Sequence, residues 1–189
     1  MEASVYSGYV LPVLLRPSFI RGAFYGLTLA GAVGVEACSG PRDDRTVVSE
    51  PSRVEFASVS PALEAHCGTL DCHGAPARNL RVYGTYGLRL SGSSVTGDGA
   101  TTSEERDATY QSIVSVEPEV LSVVFHTGGA NPARWIVVGK ARGVESHVGG
   151  QPFPENSPGD RCIVSWIAGA VDEPSCVGAS IVEPPDASF

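Results

Sequence analysis

The sequence has few charged residues and, apart from Met1, no methionine. Charged residues make up 18% of the 189 residues, the formal net charge is −8, and no run rich in Lys or Arg occurs. An acidic chain repels nucleic-acid phosphates, so nucleic-acid binding is not expected, whereas a basic partner protein would suit the charge. The motifs Gly-x-Ser-x-Gly and His-Glu-x-x-His and the phosphate-binding loop are also absent, so no common class of hydrolase or nucleotide-binding enzyme is indicated.

The chain also lacks an apolar run long enough to cross a bilayer. Residues 23–35 form an uncharged stretch of 13 residues, which is typical of the core of a signal peptide. The sequence Val35-Glu36-Ala37-Cys38 resembles the bacterial lipobox, in which the cysteine becomes lipid-modified. We therefore expect a signal peptide over 1–37, a lipid anchor at Cys38 with a tether over 38–51, and export to the periplasm or outer membrane. A plain signal peptide with an unmodified Cys38 is the alternative.

Glycine and proline are abundant instead, with 22 and 14 residues. Such a composition favours turns and long loops over a helical bundle. The spacing of apolar residues nevertheless predicts three helices. They run from about Phe56 to Cys67, from Ser103 to about Val116 with Pro118 closing the helix, and from Asp160 to about Ala170.

Two other apolar segments suit extended structure. Residues 79–90 alternate apolar and polar side chains and predict a small β-hairpin or an extended loop. The apolar patches within 121–138 predict strands or buried extended segments. We expect a mainly α fold, a small helical domain with long loops over 52–176, followed by a disordered acidic tail over 177–189.

One motif carries more chemical information than the rest of the chain. Cys67 and Cys72 enclose a spacer of four residues, and His73 and Gly74 follow at once. The usual attachment sequence for haem c is Cys-x2-Cys-His, in which the two thiols bond the porphyrin vinyl groups and the histidine binds the iron. Despite its longer spacer, the motif predicts covalent haem c on Cys67 and Cys72 with His73 as an axial ligand.

The choice of a second axial ligand is narrow. The only methionine is Met1, which export removes, so a His/Met pair is excluded for the mature protein. His66 directly precedes Cys67, on the wrong side of the motif for a distal ligand. His126 and His147 remain, along with the possibility of an open sixth position.

The segment 56–170 resembles a single-haem c-type cytochrome domain of the kind found in exported proteins of myxobacteria and planctomycetes. The opening helix and motif are FASVSPALEAHCGTLDCHG, and the ligand loop and Trp-containing last helix are SHVGGQPFPENSPGDRCIVSWIAGA. In that family the second ligand lies in the loop before the last helix. The resemblance therefore implies a cytochrome c-like fold, His73/His147 ligation at a lower potential than a His/Met pair, and an electron carrier or redox sensor with a protein partner rather than an enzyme.

Cys162 and Cys176 are left after lipid and haem have taken three of the five cysteines. With 13 residues between them and an exported context, they predict a disulfide that ties the tail to the last helix. The loop-entropy model assigns such a closure roughly 3 kcal/mol of stabilisation.

Two alternatives need no haem. Cys67 and Cys72 can form a second disulfide, which would make the chain a stapled surface lipoprotein acting as a binding or structural module. A zinc site could instead use Cys67, Cys72, His73 and His147, although export favours disulfides over thiolates. Nucleophilic catalysis by Cys72 is not expected, because the base for a thiol normally comes from elsewhere in the fold.

Overall fold

The computed structural model describes residues 47–91, 97 and 99–181, and these residues are mainly helical, as predicted. The helices are α1 (Phe56–Cys67), α2 (Ser103–Val114), α3 (Pro118–His126), α4 (Ile136–Ala141), α5 (Pro158–Ile167) and α6 (Glu173–Ser180), with a 3-10 turn at Pro132–Arg134 before α4. No helix in this part of the chain is both long and apolar enough to cross a bilayer. The predicted signal peptide, Cys38 and the tether as far as residue 46 lie outside the described residues.

Helix α1 forms the centre of the core and packs against α2, α5 and α6. Its first residue, Phe56, packs edge-on against Tyr110 and obliquely against Trp166, with ring centroids 5.5 and 5.1 Å apart. The Trp166 Nε1–H donates to the Ser52 carbonyl at 2.8 Å, so the indole is both buried and hydrogen-bonded. Pro61 lies inside α1 without dividing it. These contacts fix the position of α1 and therefore the position of Cys67, its last residue.

The prediction of strands or buried extended segments within 121–138 is wrong. The segment instead contains most of α3, the 3-10 turn and the start of α4. Pro118 was expected to close the preceding helix, but it begins α3, where its missing N–H leaves no donor unpaired. Leu121 and Val124 are buried at helical spacing. Apolar runs this short have the same pattern in a buried strand and in a short helix, so periodicity could not separate the two.

The hairpin predicted over 79–90 is also absent. The only strand-like pairing in the described chain is an isolated parallel bridge between Tyr83 and Leu88. Side chains of α2 form hydrogen bonds with backbone groups of this segment. For example, the Tyr83 N–H donates to the Thr109 hydroxyl at 2.9 Å. The segment is therefore an irregular loop fixed to the polar face of α2.

The last predicted helix exists but begins slightly earlier. Ser157, not Asp160, caps α5, since its hydroxyl accepts the Asp160 N–H at 3.3 Å. Asp160 is buried in the first turn and forms an ion pair with Arg142, whose Nε lies 2.7 Å from its carboxylate. Asp160 therefore connects α5 to the end of α4.

The predicted disulfide between Cys162 and Cys176 is confirmed, with a Cα–Cα distance of 4.7 Å. Cys176 lies in α6, which the sequence did not predict and which runs through Ser180 into the segment 177–189 expected to be disordered. Asp172 caps this helix by accepting the Ser175 N–H at 3.1 Å. The cap and the disulfide explain why a segment of weak apolar pattern is helical. Residues 182–189 lie outside the described chain.

Candidate functional site

A predominantly apolar cavity of about 250 Å³, partly open to solvent, lies where α1 ends. Three of the four predicted site residues, Cys67, His73 and His147, line it, whereas Cys72 does not. The remaining lining residues are Leu63, Arg78, Asn79, Leu80, Val82, Val116, Ile136, Val137, Lys140, Ala141, Pro152, Phe153 and Ile163. A mostly apolar cavity with a few convergent polar groups is the usual form of a ligand or cofactor site.

His73 is held by the turn that follows α1. Its N–H donates to the Cys67 carbonyl at 2.9 Å, and its own carbonyl accepts the Val82 N–H at 2.8 Å. Nδ1 of the ring donates to the Leu80 carbonyl at 3.0 Å. In that tautomer Nε2 carries the lone pair, which is the arrangement of a metal-binding histidine oriented by an outer hydrogen bond.

His147 lies next to His73 at a sequence separation of 74. The two rings are stacked, with centroids 5.9 Å apart and planes that differ by 11°. Metal–imidazole bonds are about 2.0–2.1 Å long, so ring centres this far apart are close enough for both histidines to serve one metal ion. Nδ1 of His147 is buried and has no hydrogen-bond partner. The pair therefore has the spacing and the unsatisfied nitrogen that a shared metal ion would complete.

The other two histidines lie elsewhere. His126 ends α3 with an exposed side chain and does not line the cavity. His66 faces the far side of α1, where its Nε2 is 2.9 Å from the Ala179 carbonyl and its ring packs edge-on against Phe153. Of the two candidates for a second ligand, the structure brings only His147 to His73.

Burial keeps both His73 and Cys67 electrically neutral. Burial lowers the pKa of His73 below its usual value, with smaller contributions from His147 and Arg78, against the opposing hydrogen bond to Leu80. A neutral imidazole is the form that binds a metal. Burial, with a further contribution from Cys72, raises the pKa of Cys67 to about 12. A thiol this weakly acidic is a poor nucleophile at neutral pH.

Cys67 and Cys72 are both free thiols, unlike Cys162 and Cys176. Cys72 lies in the turn after α1, where its N–H donates to the Thr69 carbonyl at 3.0 Å. Within the described residues, no three His, Cys, Asp or Glu side chains are grouped so that they could hold a metal ion directly. The zinc alternative requires four such ligands, so this arrangement does not support it. A haem iron takes only two ligands from the protein.

Arg78 and Lys140 are the cationic side chains that line the cavity. Arg78 also holds the spacer of the motif, because Nε donates to the Cys72 carbonyl at 3.1 Å and Nη2 to the Asp71 carbonyl at 3.0 Å. The Lys140 ammonium donates to the Ser146 carbonyl at 3.1 Å. Of the two basic residues in the turn 140–142, only Lys140 lines the cavity, whereas Arg142 is paired with Glu155 and Asp160.

In the turn that carries Cys72 and His73, the backbone is in close contact at three glycines, Gly68, Gly74 and Gly87. A Cβ on Gly74 would overlap the Gly68 carbonyl, and a Cβ on Gly87 would overlap both Gly68 and Gly74. The backbones therefore touch where any side chain would separate them, as glycine alone permits. This contact joins the turn after α1 to the loop 79–91.

Gly74→Ala is expected to lower the free energy of unfolding by about 1–3 kcal/mol, because overpacking at a close backbone contact forces the turn apart. Urea denaturation of the purified domain measures the change. Gly178→Ala is the matched control. That helical glycine has its nearest neighbour 3.7 Å from an added Cβ, and alanine should there be neutral or stabilising. Equal stabilities for the two variants would contradict the packing argument.

Three features of the site had no sequence signal. The Leu80 carbonyl is a backbone group, so its residue type does not reveal its role. Phe153 lies among Pro and Gly residues, a composition typical of irregular loops, yet it is buried against the cavity. Arg78 is a single charge six residues after Cys72, and no pattern distinguishes it from a solvated arginine.

Comparisons with known proteins found no match to a family model, a curated protein or a solved structure. A functional assignment therefore depends on the motif and the site geometry alone. The relevant geometry is the histidine pair, the apolar cavity and the two free thiols of the motif.

Proposed function

We propose that this chain is a mono-haem c-type cytochrome that transfers single electrons. The observation that carries the proposal is the near-parallel pair of His73 and His147 rings, 5.9 Å apart, in an apolar cavity that Cys67 also lines. The family resemblance implies the same residue, His147, as the second ligand. With both axial positions taken by histidine, no open site is left for substrate, so the proposal is a carrier or redox sensor and not an enzyme.

Each residue has a distinct role in this proposal. Cys67 and Cys72 would hold the porphyrin through thioethers, which compensates for a small domain's limited ability to enclose it. His73, oriented by the Leu80 carbonyl, and His147 would bind the iron. Arg78 and Lys140 provide positive charge for the porphyrin carboxylates, while the apolar lining keeps water away. When bound, haem supplies reversible one-electron exchange at a potential below that of a His/Met pair.

Export and anchoring form the second part of the proposal. The disulfide between Cys162 and Cys176 supports an oxidising compartment, because such bonds persist outside the cytoplasm. A lipid on Cys38 would hold the domain at a periplasmic or outer-membrane surface. The net charge of −8 suits a redox partner with a basic docking face.

The test is expression in a host with cytochrome c maturation, followed by a haem stain on a denaturing gel and reduced-minus-oxidised spectra. We expect a stained band with sharp reduced α and β bands. Cys67→Ser/Cys72→Ser should lose all stain, because no thioether can form. His147→Ala should keep the stain but change the α and β bands, whereas His126→Ala, at an exposed site, should match the wild type.

A colourless protein in which Cys67 and Cys72 form a reducible disulfide would contradict the cytochrome proposal. It would favour the alternative of a disulfide-stapled binding or structural module. A stained protein whose spectrum is unchanged in His147→Ala would instead reject the ligand assignment and keep the haem.

A further inference from the structure

The two histidines of the site are held very differently. His73 is fixed through its ring to the Leu80 carbonyl and through its backbone to Cys67 and Val82. It also lies in the glycine-packed turn, next to Gly74. Rotation of the His73 ring would break its bond to the Leu80 carbonyl, and displacement of its backbone would break two further hydrogen bonds.

The ring of His147 makes no hydrogen bond to the described residues, and its buried Nδ1 is unpartnered. Whichever ring nitrogen binds a metal, the other therefore lacks an outer partner in the protein. Loss of such a partner typically weakens a metal–histidine interaction about 10- to 100-fold.

The first part of the segment that carries His147 is tied to α4, because Val144 and Glu145 donate backbone hydrogen bonds to the Gly139 carbonyl. Within the described residues, the only hydrogen bond of 147–150 is internal, from the Gly150 N–H to the His147 carbonyl. The flanking side chains over 143–146 and 148–151 are all exposed. Gly143 and Gly150 have φ values of +69° and +70°, so glycine forms a turn on each side of the histidine. Beyond the segment, the Phe153 N–H donates to the Ala141 carbonyl at 3.0 Å, which gives the loop a fixed end.

We propose that His147 is a displaceable ligand and that its position is a binding site for a small uncharged molecule. This inference rests on the proposed haem function. The displaced imidazole would leave an apolar space, which disfavours charged ligands because burial would remove their hydration without a compensating partner. A diatomic gas has the size and charge that such a space accepts, and carbon monoxide is the probe.

The experiment follows the absorption spectrum of the reduced holoprotein after mixing with carbon monoxide. In the wild type we expect binding at a rate that levels off with gas concentration, because release of His147 limits it. In His147→Ala the rate should rise in proportion to the gas concentration and exceed the wild-type rate at least ten-fold at the highest concentration. His126→Ala should behave as the wild type.

Hydrogen exchange of the same holoprotein provides a second readout that does not depend on gas binding. Amides over 143–150 are expected to exchange at least ten-fold faster than those over 73–82. Equal protection of the two segments would overturn the inference, because a displaceable ligand needs a segment that opens separately from the core.

The remaining outcomes separate this inference from the proposed function. If the reduced wild type keeps its spectrum under carbon monoxide while His147→Ala binds the gas, His147 is a permanent ligand and only the inference fails. A protein without haem stain rejects both. An unchanged spectrum in His147→Ala shows that another group holds the sixth position, which also overturns the inference.

Discussion

Glu105→Gln is expected to lower the free energy of unfolding by about 3–5 kcal/mol, since it removes the negative charge from a buried ion pair. Glu105 and Arg89 have side chains only 2% and 6% exposed, and the Arg89 Nε lies 2.8 Å from the carboxylate. Gln keeps the shape of Glu, so the change isolates the charge. The variant would leave the Arg89 guanidinium buried against a neutral amide.

The Glu105 carboxylate also organises the loop that shapes the site. It accepts the Leu90 N–H at 3.2 Å and the Thr102 N–H at 3.0 Å, and so joins the loop 79–91 to the start of α2. Thr102 and Glu105 form a capping box, in keeping with the Thr-x-x-Glu pattern at the start of α2. Because Leu80 and Val82 lie in the same loop, a disturbed Glu105 should also loosen the carbonyl that orients His73.

Stability should depend on pH through the same group. Burial pushes the pKa of Glu105 upward, but the hydrogen bonds from Arg89, Thr102 and Leu90 and the charge of Arg89 outweigh it, so the net pKa lies below the usual value. A lowered carboxyl pKa stabilises the fold fully above the unfolded-state pKa of about 4.3 and progressively less as pH falls below it. The stability difference between wild type and Glu105→Gln should therefore shrink below about pH 4.3.

Urea denaturation at several pH values measures both effects. Glu104→Gln is the control, because Glu104 is the exposed neighbour in the same turn of α2 and should change stability by less than about 1 kcal/mol. A loss in Glu105→Gln as small as that of the control, or a difference independent of pH, would show that the ion pair is not a net contributor.

Replacing both Cys162 and Cys176 by alanine is expected to lower the free energy of unfolding by about 3 kcal/mol. The bond closes a loop with a sequence separation of 14 and joins α5 to α6. Both residues are almost completely buried, so a cavity contributes to the loss as well. The double variant leaves no single thiol that could pair with Cys67 or Cys72.

Comparison with reduced wild type separates the two contributions. Wild type that is unfolded and refolded in reductant keeps both sulfurs but lacks the bond, so it should fall between the native protein and the double variant. A decrease below about 1 kcal/mol in the double variant would contradict the loop-closure argument. Because α6 packs on α1, the same variant should also lower protection from hydrogen exchange at the end of α1.

The sequence alone predicted the parts of this fold that have a full helical period or a chemical signature. Helices α1, α2 and α5 extend over three turns with buried residues at helical spacing, and their positions were predicted within a few residues. The disulfide followed from cysteine spacing and an exported context. His73 and His147 were chosen from motif and family pattern, and the structure brings them together.

The rest depended on interactions that residue types do not encode. Helices α3 and α4 are nine and six residues long, too short for a periodic pattern to be distinguished from a strand. The alternating apolar residues of the loop 79–91 predicted a hairpin or an extended loop. The segment is a loop because its backbone N–H groups donate hydrogen bonds to the side chains of Thr109 and Glu105 in α2 rather than to a paired strand. The same holds for the Leu80 carbonyl, whose role follows only from where the loop is held.

The high pKa of Cys67 limits the reactivity of one thiol of the motif. With a pKa of about 12, the Cys67 thiol stays protonated at neutral pH and is a weaker nucleophile than an ordinary cysteine. Disulfide formation proceeds through attack by a thiolate, so Cys67 is not expected to be the attacking sulfur in the folded domain. Any oxidation of the folded motif to a Cys67–Cys72 bond would therefore have to begin at Cys72.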